Sequence, residues 1–166
     1  MDTSEPLLDL RLALLRRDLE TAEFIWAQNP VPDPPDRAAW YRNGSRLFLA
    51  LGQTDQAEAL AWNAIMLSPI EMNGWLVLHL ISRESHDWHT AEYALETALY
   101  LEPLRTGDLF WDRWLLAVEN GDVGSMAALA ESFRIRNLDD PLGAYLSARA
   151  LLAAGEASEA AIQLIE

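Results

Sequence analysis

The chain has 166 residues, 51% of them apolar, enough to bury a core as one domain or one short solenoid. Its 26 acidic and 12 basic residues give a formal net charge of -14, which disfavours nucleic-acid backbones and anionic membranes and permits steering of cationic segments. There is no Cys, so disulfides and thiolate metal sites are excluded, and no apolar run reaches the roughly 18 residues that span a membrane.

Every basic residue is Arg, none is Lys, as a GC-rich bacterial genome would favour. The start, Met1-Asp2-Thr3-Ser4-Glu5-Pro6, is acidic where a secretory signal would be basic, so a cytoplasmic location is expected. Apolar periodicity predicts a first helical pair over 6–17 and 19–29, turning at Arg17-Asp18. A proline-rich stretch, Asn29 to Asp36, follows as a semi-rigid spacer, with Asp36 positioned to cap the next helix. Further helices are predicted over 37–51, 55–68, 73–84, 88–101, 107–120, 123–136, 141–154 and 157–166.

Within this series Ala57, Ala64 and Pro69 recur 34 residues later as Ala91, Ala98 and Pro103. The segment from Trp40-Tyr41 to Pro69 reads W-Y-x6-F-x3-G-x4-A-x6-A-x4-P, and that from Trp75 to Pro103 reads W-x2-L-x12-A-x6-A-x4-P. Small residues suit close helix approach, Gly52 suits a left-handed exit from the first helix of a pair, and the prolines end the second. Gly121-Asp122 and Gly155-Glu156 repeat the turn, and Pro141 closes a third, slightly stretched copy. The pattern resembles the tetratricopeptide repeat (TPR), a helix-turn-helix unit of about 34 residues.

The resemblance implies an all-α, right-handed superhelical array of about five antiparallel hairpins, a TPR-like α-solenoid. The expected organisation is a divergent N-terminal hairpin (1–29), a connector (30–36) and an array (37–166) with repeats at 38–71, 72–105, 106–140 and a partial 141–166. Four residues depart from the pattern, Gly44 and Ser45 standing where Leu and Gly are favoured. Gly44 should weaken its helix by about 1 kcal/mol, His79 stands where a small residue is usual, and His86 replaces the turn glycine, so looser packing is expected there.

The resemblance also implies a partner groove on the first helices of the hairpins. Carried onto this sequence, its candidates are Arg42, Arg46, Asn73, Leu76, Leu80, Arg83, Trp111, Tyr145 and Arg149. Arg42 and Arg46 share a helix face and resemble part of a carboxylate clamp, with Val77 where the clamp needs a polar donor; pairing of these arginines with neighbouring acids is the competing reading. Trp111 is either a partner contact or core. His86, Asp87 and His89 lack a fourth ligand for a metal, and Asp87 serves better as a helix cap. No nucleophile with a base, no phosphate loop and no cofactor motif is present, so a non-enzymatic adaptor or chaperone without cofactor or metal is expected, its partner a polypeptide segment. The alternative is an assembly element, dimerising through an apolar C-terminal edge of Ala161, Ile162, Leu164 and Ile165.

Overall fold

The computed structural model describes residues 4–29, 31–32, 36–105, 107–137, 140–156 and 159–160. Among these there are nine α-helices, one short 3-10 turn (Pro103–Arg105) and no strand. The helices are α1 (Ser4–Leu15), α2 (Leu19–Gln28), α3 (Arg37–Ala50), α4 (Thr54–Leu67), α5 (Met72–Glu84), α6 (Trp88–Leu101), α7 (Phe110–Asn120), α8 (Val123–Arg136) and α9 (Pro141–Ala153). Packing runs between consecutive helices, as in a helical repeat array, and α3 also packs on α1 and α5. The chain divides into two compact units, Met1–Leu104 and Arg105–Glu166.

A single backbone device joins the helices of each hairpin. Left-handed residues fall at Arg17, Gly52, His86, Gly121 and Gly155, at intervals of 34 or 35 residues and with φ between 58° and 84°. At each of them the following residue donates its N–H to a carbonyl five residues back. Asp18 reaches Ala13, Gln53 Phe48, Asp87 Ser82, Asp122 Ala117 and Glu156 Leu151, all at 2.8–2.9 Å. This is the Schellman closure, which satisfies carbonyls that a helix end leaves open. Asp18, Asp87 and Asp122 then cap the next helix, their carboxylates accepting from the N–H of Thr21, Thr90 and Ser125. The first hairpin therefore turns as the others do, although Arg17 there, like His86 between α5 and α6, stands where glycine is cheapest.

In the first unit the spacing of small residues sets how closely helices approach. Ala57, Ala61 and Ala64 on α4 and Ala91, Ala94 and Ala98 on α6 are all buried. Two side chains tie the paired helices across this contact. Ser45 donates to the Ala57 carbonyl at 2.7 Å, and His79, 34 residues on, places Nδ1 2.9 Å from the Ala91 carbonyl, where it must be the donor. The looser packing expected at His79 is not found: its ring is 1% exposed and bonded within the hairpin. A surrogate for the small residue is thus an imidazole that ties the two helices through Nδ1 while filling the space.

Trp26 explains Gly44. A Cβ at position 44 would lie 2.3 Å from two carbons of the Trp26 ring, so only glycine lets α2 seat there. Trp26 stacks on Trp40 at 5.0 Å and meets Phe48 edge-on at 5.8 Å. Leu7, Leu10, Ala13 and Ala22 of the first hairpin share one buried cluster with Trp40 and Leu47 of α3. The N-terminal pair is part of the first unit's core despite its proline-rich connector.

Trp75, on α5, donates from Nε1 to the Pro69 carbonyl at 2.8 Å and lies edge-on to both Trp62 and Tyr93. In the second unit Trp114, Ala117, Met126, Leu129, Leu146 and Ala150 form a separate buried cluster. Two helix starts differ from expectation. Asp36 precedes α3 without a side-chain capping bond, and α7 begins at Phe110 rather than 107. Gly107 to Leu109 instead form a turn closed by Leu109 N–H to Arg105 and Phe110 N–H to Gly107 carbonyls, as suits a glycine that disfavours helix. Of the helix expected over 157–166 only 159–160 are described.

Candidate partner-binding site

The first helices of the hairpins carry the candidate residues, and of those in the first unit Arg46 and Leu80 line one cavity. Arg42, on α3, is paired: its guanidinium holds the carboxylate of Glu71, the residue that precedes α5, and its side chain is only 15% exposed. That contact ties the entry of α5 to α3 and occupies the fork that a clamp would need. Asn73 and Leu76 are half-buried on α5, Arg83 is half-buried in its last turn, and Leu80 is exposed.

Arg46 lies one turn beyond Arg42 and opens on a cavity of about 640 Å³. Leu49 and Ala50 of α3 and Leu80 of α5 form part of its wall, and Asn43 contributes to it while donating its amide to the Ala39 carbonyl at 2.8 Å. The remaining wall comes from the first hairpin: Arg11, Leu14, Leu15, Arg17 and Leu19. Leu8, Arg11, Leu12 and Leu15 follow one face of α1 at helical spacing, and all four are exposed. The site is therefore an apolar cleft with guanidinium groups on its border.

Its electrostatics are one-sided. Partial burial is the first cause that draws the Arg46 guanidinium below its ordinary pKa, and the neighbouring charges of Arg42 and Arg11 add to it. Arg42 has Glu71 as a partner, whereas among the described residues the wall around Arg46 contains no Asp or Glu. The cation there is held beside like charge, a situation that an incoming anion relieves.

The second unit carries the other candidates. Trp111 on α7 is 45% exposed, with Phe110 edge-on to it at 5.1 Å, while Trp114 is buried in the core. Tyr145 and Arg149 are exposed one turn apart on α9. The proposed edge residues Ala161, Ile162, Leu164 and Ile165 lie outside the described residues. His86 rests against Trp88, and Asp87 caps α6 as expected. Among the described residues no three His, Cys, Asp or Glu side chains form a metal-binding group, and no helix is long and apolar enough to cross a membrane.

The contribution of Arg11, Arg17 and the α1 leucines was missed in the sequence because their helix bears none of the aromatic, Ala or Pro signatures. A signal was present: Arg17-Asp18 stands 35 residues before Gly52-Gln53, in step with the later turns. No family model matches the chain, and no curated protein matches it.

Proposed function

We propose that the protein is a non-enzymatic binding module of the TPR kind, an adaptor or chaperone that holds a segment of another polypeptide on the side formed by α1, α3 and α5. One observation carries this reading: the cleft of about 640 Å³ there has apolar walls, exposed leucines and an arginine with no carboxylate among the described residues of its wall. A volume in the range of ligand pockets and a few polar groups over apolar surface are what a recognition site requires. The regular recurrence of the left-handed turn supports the TPR resemblance, and with it a right-handed winding of the array. We also place the protein in the cytoplasm, and propose that Trp111, Tyr145 and Arg149, exposed in the second unit, make partner contacts of their own.

The test is photo-crosslinking in lysate of the native host. A photoreactive residue at position 76 or 80 should trap one recurrent polypeptide, whereas the same group at Glu92 or Tyr93, exposed on α6, should not. Equal labelling from both helices would sink the groove. Crosslinks only to a second copy of the chain would move the function to assembly.

A further inference from the structure

Carboxylates outnumber arginines by 26 to 12 in this chain, yet the α1–α3–α5 cleft inverts that balance. Three arginines, Arg11, Arg17 and Arg46, line it, and among the described residues no Asp or Glu does. Random placement of charge on so acidic a surface would bring carboxylates to the border. Arg42, the nearest neighbour on α3, is neutralised by Glu71, so the unbalanced charge is concentrated at Arg46 and Arg11. Guanidinium groups set beside like charge favour a carboxylate, which they can hold by charge-assisted bonds.

Charge alone does not describe the site. Leu49 and Leu80 stand beside Arg46, and Leu15, 79% exposed, stands beside Arg11. The leucine stripe continues along α1 past the cleft to Leu12 and Leu8, further than a small anion would reach. A protein segment with both acidic and apolar side chains matches this pairing.

We infer that the α1–α3–α5 cleft selects acidic, leucine-bearing segments: an Asp or Glu side chain of the partner sits between Arg11 and Arg46, and an adjacent apolar side chain packs against Leu49 and Leu80. The inference rests on the groove reading above and names the chemistry of its occupant. It also gives the first hairpin a role in recognition, since Arg11 and Leu15 belong to α1.

Fluorescence anisotropy on the whole chain tests it with three labelled, C-terminally amidated peptides of equal length. One is built of Glu and Leu, one of Glu and Ser, and one of Lys and Leu. The Glu/Leu peptide should bind saturably and the other two about tenfold more weakly or worse, a difference of about 1.4 kcal/mol. R46E and R11E should each weaken the Glu/Leu peptide by about tenfold or more. R136E, which makes the same charge change at an exposed position on α8, should leave it unchanged. R46Q should give a smaller loss than R46E.

Equal binding of the Lys/Leu peptide, insensitive to R46E but lost in L80D, would overturn the acidic selection and leave the groove standing. Equal binding of the Glu/Ser peptide would overturn the apolar half of the inference. Failure of all three peptides to saturate would overturn the inference outright, while crosslinking from positions 76 and 80 would still judge the groove. Arg11 and Arg46 are exposed, so a circular-dichroism melt matching the native chain shows that any loss of binding is local.

Discussion

A methyl group at position 44 would stand 2.3 Å from two Trp26 ring carbons. Alanine is the better helix former by about 1 kcal/mol, but this overpacking outweighs that gain. Gly44→Ala is therefore expected to lower the free energy of unfolding by about 1–3 kcal/mol, as read by urea denaturation. In a Trp26→Leu background the same change should become neutral or stabilising, and a double-mutant cycle measures the coupling. Position 86 invites the opposite outcome. His86 holds φ at 59°, where a non-glycine residue pays about 1–2 kcal/mol. Glycine there removes that strain but gains about 0.4–1 kcal/mol of freedom in the unfolded chain and loses the ring contact with Trp88. His86→Gly should stabilise by about 0.5 kcal/mol net, visible as a small rise in Tm.

At the scale of the helix, the start of α2, α6 and α8 makes stability depend on acid. The Asp18, Asp87 and Asp122 carboxyls are all held below their ordinary pKa, first by side-chain bonding from Thr21, Thr90 and Ser125 and next by the backbone N–H of those residues. A depressed carboxyl adds stability above its unfolded pKa of about 4, and that stability is lost as the pH falls through the lower folded value. Tm should thus decline as the pH drops below about 4, and D18N/D87N/D122N, in which Asn still caps, should show a shallower decline. Asp18 and Asp87 are solvent-exposed and Asp122 is only half-buried, so each contributes modestly. These same turns show what was legible in the sequence. Gly52, Gly121 and Gly155 announce a left-handed residue by their type, whereas Arg17 and His86 adopt it against their preference and give no such sign. Gly44 reads as a weak point locally, because the Trp26 ring that requires it arrives from another helix. Arg42 and Arg46 look alike one turn apart, yet only the approach of Glu71 separates a paired cation from one facing an open cleft.

Within each unit of the molecule, contacts run from neighbour to neighbour, and each unit has its own buried cluster. Stability in such a chain approximates a sum over hairpins and the interfaces between successive ones. The turns at Gly52 and His86 have the same handedness and the same carbonyl closures, and they stand 34 residues apart. Excision of residues 53–86 would therefore place Gly52 directly before Asp87. That junction combines the least strained residue for the turn with a working cap for α6, the combination already present at Gly121-Asp122. Ser45 would then face the Ala91 carbonyl, which His79 uses in the intact chain. The shortened protein is expected to keep its helix content per residue and to unfold cooperatively, by circular dichroism in urea. An excision of 53–80, out of step with the turn, should lose the cooperative transition. Length in this protein is thus a heritable variable with a fixed step: deletions and duplications that respect the interval between left-handed turns leave a continuous chain of hairpins, and recombination has ready-made joints at which to work.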